Sequence, residues 1–123
     1  MQFVRNGPDI PDSLLQAHED GRVVFFCGAG ISYPAGLPDF RGLVDKIYLN
    51  LGVTPDAVQA SAIKGGQFDT AIGLLEASIV NGRETVRQAL VNILKPDLSA
   101  TGAISTHEAL LTLGKRRDGH IGL

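Results

Sequence analysis

The sequence predicts an α/β fold, with one good strand, the start of a second and a helical insertion between them. Two observations carry this. The apolar run Val23-Val24-Phe25-Phe26 lacks the alternation of a half-exposed strand, so it reads as a strand covered on both faces. A glycine loop then leaves it for a series of segments with helical spacing. The 123 residues suffice for one domain; 44% are hydrophobic and 20% charged, which allows a core and argues against global disorder. A net charge of −2 gives no electrostatic attraction to nucleic acid or to an anionic membrane surface. No window approaches the roughly 18 uninterrupted apolar residues of a membrane span, and the N-terminus lacks the basic-then-apolar pattern of a secretory signal. One cysteine, Cys27, excludes an internal disulfide framework and a Cys-x-x-Cys zinc site within these residues. A cytoplasmic protein is the expectation.

In chain order, Asp9 and Pro11 open a short helix through Leu14, Leu15 and His18, which Gly21 ends. Arg22 to Cys27 is the strand, and the glycine loop comes next. Leu43, Val44, Ile47, Tyr48 and Leu51 share one helical face, and Gly52 closes that helix. At Thr54-Pro55-Asp56 a capping hydroxyl precedes a proline whose missing N–H costs nothing, so a third helix starts there and stops at Gly65-Gly66. Phe68, Ile72, Leu75 and Ile79 form the next stripe, ended by Asn81-Gly82. Val86, Leu90, Ile93 and Leu94 form another, ended by Pro96. Ser105 or Thr106 caps a last helix through Leu113, whose basic end Lys115-Arg116-Arg117 suits the helix dipole. After Gly119, Ile121-Gly122-Leu123 reads as the opening of a second strand.

A strand buried on both faces needs neighbours, and helices cannot satisfy its hydrogen-bonding edges. The expectation is therefore an incomplete sheet: the first part of a longer α/β protein that stops as its second strand begins.

The loop itself suggests chemistry. Gly28-x-Gly30 at a strand-to-helix turn lets the backbone approach a ligand, and a helix N-terminus after it would favour an anion. A dinucleotide pyrophosphate is the natural guest. The dehydrogenase fingerprint is not met, since Tyr33 stands where its third glycine belongs. Nor does an acidic residue end a second strand roughly 20 positions on, as ribose recognition requires; Tyr48 sits there instead.

The stretch Val23-Val24-Phe25-Phe26-Cys27-Gly28-Ala29-Gly30-Ile31-Ser32-Tyr33-Pro34-Ala35-Gly36-Leu37-Pro38-Asp39-Phe40-Arg41 resembles, almost letter for letter, the cofactor loop of the sirtuins. Their signature is a Val-rich strand, Gly-Ala-Gly-Ile-Ser, a few residues, then Ala/Ser-Gly-Ile-Pro-Asp-Phe-Arg. A weaker likeness covers residues 105–123, similar to the sirtuin helix leading to a strand with an Asn-Asp motif. The resemblance implies a Rossmann-like parallel sheet binding NAD as cofactor and substrate. It divides the chain, as a partial domain over 1–123, into strand and NAD loop 22–42, helical segment 43–96, and helix leading into the second strand 105–123. It gives Gly28, Ala29 and Gly30 the pyrophosphate, with a hydroxyl from Ser32, and it gives Tyr33 a contact where the family often has threonine. Phe40 would shield the ribose as the glycosidic bond lengthens. Arg41 would steady the diphosphate or the loop, and Asp39 would orient the loop by hydrogen bonds. The catalytic residues are expected downstream of the chain, so the C-terminal remainder of the same domain is the first partner, and these residues alone are expected to turn over nothing.

The helical run from Leu43 replaces the mobile Gly-containing loop of deacylases and resembles the sirtuin-like domains of bacterial defence proteins, which hydrolyse NAD outright. NAD hydrolysis in defence, with a defence-system partner or a second copy, is the leading expectation. The alternatives are an NAD-dependent protein-lysine deacylase and a non-catalytic module sensing NAD or ADP-ribose. No direct contact with nucleic acid or membrane is expected. Other residues have plainer readings: Cys27 as a buried inert thiol, His107 as a cap or packing residue, His18 and His120 as surface residues, and Lys115-Arg116-Arg117 as a solvated helix end. Tyr48 and Phe68 read as core. For Phe40, a buried loop anchor is the rival to ribose shielding.

Overall fold

The computed structural model describes residues 1–122. It contains six α-helices and one 3-10 helix, and no strand or sheet among the described residues. The α/β fold with a Rossmann-like parallel sheet is therefore overturned; every named element among the described residues is a helix. Residues 1–31 with 105–122 make one compact unit, and Ser32–Ile104 make the other.

The Ser32–Ile104 unit is a helical bundle of α2 (Phe40–Leu51), α3 (Ala57–Lys64), α4 (Phe68–Ser78) and α5 (Gly82–Ile93). Helix α4 packs against each of the other three. Val44, Ile47 and Tyr48 from α2, Leu75 from α4, and Val86 and Ala89 from α5 form the core. Ile47, Leu75 and Val86 are its largest fully buried side chains, each worth roughly 1.5–3 kcal/mol of burial. The Tyr48 hydroxyl donates to the Ala71 carbonyl at 3.3 Å, so its polar end is satisfied inside the core.

Local chemistry sets the helix ends. Gly52 closes α2 in the left-handed region, at φ 63°. Helix α3 is capped by Asp56, not by Thr54 as the sequence suggests. The Asp56 carboxylate accepts the Gln59 N–H at 2.8 Å, and the Gln59 side-chain oxygen accepts the Asp56 N–H at 3.1 Å. Between α4 and α5, Asn81 takes a left-handed conformation at φ 51°. Gly82 is buried there so close to α4 that a Cβ would overlap the Glu76 carbonyl.

The other unit holds α1 (Asp12–Glu19) and α6 (Ser105–Gly114). His18 Nε2 donates to the Leu113 carbonyl at 2.7 Å and ties their C-terminal ends together. The expected strand Arg22–Cys27 is not one. Within Val23–Cys27 the one main-chain hydrogen bond among the described residues runs from the Phe25 N–H to the Gly122 carbonyl, at 3.1 Å. A single bond is no ladder. Far from being covered on both faces, Val24 is exposed and Phe26 is 97% exposed.

The expected second strand fails for a related reason. After α6 the chain folds back on itself: Arg116 N–H bonds the His120 carbonyl at 2.8 Å, and Gly122 N–H bonds the Gly114 carbonyl at 2.8 Å. Lys115 and Ile121 make an isolated antiparallel bridge across the turn at Arg117-Asp118, so Ile121 pairs back onto the end of α6 and opens no named strand among the described residues; Leu123 lies outside the described residues. No helix among the described residues is long and apolar enough to cross a membrane.

Candidate functional site

Gly28, Ala29 and Gly30 belong to the first unit and are exposed. A Cβ built at Gly28 or at Gly30 meets nothing within 4 Å, so the main chain at both positions faces open space. The Ile31 N–H closes a turn on the Gly28 carbonyl at 3.3 Å. The α-helix expected at a phosphate-binding turn is missing from this place. The chain forms a seven-residue 3-10 helix instead, Ala29–Ala35, with Pro34 inside it. Proline lacks an N–H and cannot extend an amide ladder, and the first α-helix after the loop begins only at Phe40.

Ser32, Tyr33, Asp39, Phe40 and Arg41 belong to the second unit. Ser32 is half-buried and Tyr33 exposed. Ala35 is buried, and its carbonyl accepts the Asp97 N–H at 2.9 Å, which anchors the segment before α2. Asp97 is itself held below the usual carboxylate range by the Ser99 hydroxyl and N–H. Asp39 caps α2, its carboxylate accepting the Gly42 N–H at 2.7 Å. That cap starts the helix three residues ahead of Leu43 and puts Phe40 and Arg41 in its first turn. Phe40 is 68% exposed, so it is no buried anchor.

Arg41 reaches across the bundle. Its Nη2 donates to the Ile63 carbonyl at the end of α3, at 3.3 Å, and its guanidinium carbon sits 5.5 Å from the centre of the Phe68 ring. Phe68 is partly buried against the core, as its spacing implies. Its second face, toward Arg41, has no signal in the linear sequence.

Elsewhere in the first unit, Cys27 is exposed rather than buried. It lines a hollow of about 430 Å³ with Phe25, Phe26, Ile31, Leu110 and Leu111. His107 borders the same hollow, and its Nδ1 is buried with no hydrogen-bond partner. A second hollow, about 460 Å³, is lined by Lys115, Arg116 and Arg117 but equally by Glu19, Asp20 and Asp118. The mixed signs cancel. The Arg22 guanidinium and the Gln16 amide beside Asp20 hold its carboxyl below the usual range. Among the described residues, no group of three or more His, Cys, Asp or Glu side chains is placed to hold a metal ion.

No family model matches the chain, and no solved structure matches it. It is similar to a protein of Sinorhizobium fredii called Uncharacterized protein y4cA, with 31% identity over 119 residues. The match takes in 97% of this chain and 10% of that protein, so the chain spans about a tenth of the length of this curated relative.

Proposed function

We propose that residues 23–41 carry the cofactor loop of a sirtuin-like enzyme that cleaves the nicotinamide–ribose bond of NAD, by hydrolysis in bacterial defence. The observation that supports this reading is the open main chain at Gly28 and Gly30. A diphosphate needs amide groups it can approach with no side chain in the way, and these two positions leave that approach clear. The reading rests on the loop and not on a sheet around it. For the second unit, the sirtuin resemblance gives Ser32 a hydroxyl for phosphate, Phe40 the ribose, and Arg41 the steadying of the diphosphate or of the loop. The exposure of Phe40 leaves its ring available for that task.

The test is nicotinamide release from NAD by the intact protein, with no acylated peptide present, alongside calorimetric binding of NAD. Release without peptide is the expected outcome. Turnover only with an acyl-lysine peptide would make the protein a deacylase, and saturable binding without turnover would make it a sensing module. Gly30→Val is expected to abolish binding and Arg41→Ala to weaken it. A Cβ at position 30 meets nothing within 4 Å, so a folded valine variant reads ligand approach. Normal NAD affinity in that variant would overturn the placement.

A further inference from the structure

We infer that Phe68 is a positioning residue for Arg41, holding the guanidinium ready for the diphosphate of a nucleotide without neutralising its charge. The inference rests on the proposed cofactor reading and adds to it a residue that the loop motif does not contain.

Arg41 is placed unusually. It stands in the first turn of α2, at the positive end of the helix dipole, where a cation gains nothing from its own helix. Among the described residues no carboxylate pairs with it, whereas Arg22 is bound to Asp20 at 2.8 Å. Two neutral groups hold it instead. The Ile63 carbonyl, which also accepts the Gly66 N–H at 3.1 Å, takes one of its N–H groups at the negative end of α3. The ring of Phe68 takes its face, at 5.5 Å.

A carboxylate would orient the fork and cancel its charge. A ring and a carbonyl orient it and leave the charge in place. The side chain is exposed, and a guanidinium's planar array of donors can bind two phosphate oxygens at once. Holding that array still beforehand lowers the ordering cost of binding.

The experiment is calorimetric titration of the intact protein with ADP-ribose, in the wild type and in Phe68→Leu, Phe68→Tyr, Arg41→Ala and the Arg41→Ala/Phe68→Leu double variant. Leucine keeps an apolar side chain against the core and removes the aromatic face; tyrosine restores the face. Phe68→Leu is expected to weaken ADP-ribose binding roughly two- to fivefold, the worth of an exposed cation–ring contact. Phe68→Tyr should bind as the wild type does. In the Arg41→Ala background, Phe68→Leu should change nothing further. Wild-type affinity in Phe68→Leu, or an equal loss with and without Arg41, would overturn the inference while leaving the cofactor reading intact. No ADP-ribose binding by the folded wild type would overturn both.

Discussion

Tyr48 carries a hydroxyl into the core of the bundle, and its ionisation is coupled to folding. Burial, with the Asp56 charge as a lesser cause, pushes the phenol above its ordinary value of 10.0. The unfolded chain therefore loses this proton first as pH rises. The contribution is fully present below pH 10.0 and is lost as pH climbs toward the raised folded value. Urea denaturation across that alkaline range should show wild-type stability falling more steeply than that of Tyr48→Phe. At neutral pH the phenylalanine variant should lose about 1 kcal/mol, because the hydrogen bond to Ala71 is gone. Parallel pH dependence in the two proteins would mean that the phenol is not the titrating group. Residue identity was legible here: the helical stripe marks Tyr48 as core. At Arg41 it was not. The same stripe that marks Phe68 as core is silent about a guanidinium arriving from a distant helix.

At the scale of elements, helix-forming stripes were readable because their cause is local. Phe68, Ile72 and Leu75 recur on one face and become α4; Val86, Leu90 and Ile93 become one face of α5. Ends were harder to place, since caps compete: Asp56 displaces Thr54, and Asp39 draws α2 back to Phe40. The α4–α5 junction has the tightest requirement. A methyl group at Gly82 would press on the Glu76 carbonyl, which is backbone and cannot rotate away. Gly82→Ala should gain a little helix propensity and lose more to overpacking, for a net cost of about 2 kcal/mol. The urea midpoint should fall with its slope unchanged. An unshifted midpoint would mean that the junction relaxes without cost.

For the whole molecule, the failed expectation is the sheet, and the reason is one of supply. Four β-prone residues in a row measure a local preference. A sheet needs neighbouring strands with their own N–H and carbonyl groups, and the described chain offers Gly122 alone to Val23–Cys27. The glycine loop was legible as reachable backbone, and Gly28 and Gly30 are open. The next α-helix, read from Leu43, is present and begins at Phe40, but the 3-10 helix Ala29–Ala35 stands between it and the glycines. The same two glycines that leave room for a ligand stand beside a segment with a single main-chain hydrogen bond among the described residues.

That segment has a cost in concentrated solution. An uncharged Val-Val-Phe-Phe run with Val24 exposed and Phe26 almost wholly in water is the kind of apolar segment through which chains associate into aggregates. A lysine at this position would act as a gatekeeper by charge repulsion. Phe26→Lys should therefore stay monodisperse by light scattering at concentrations where the wild type forms particles, and equal scattering from both would locate the stickiness on another surface.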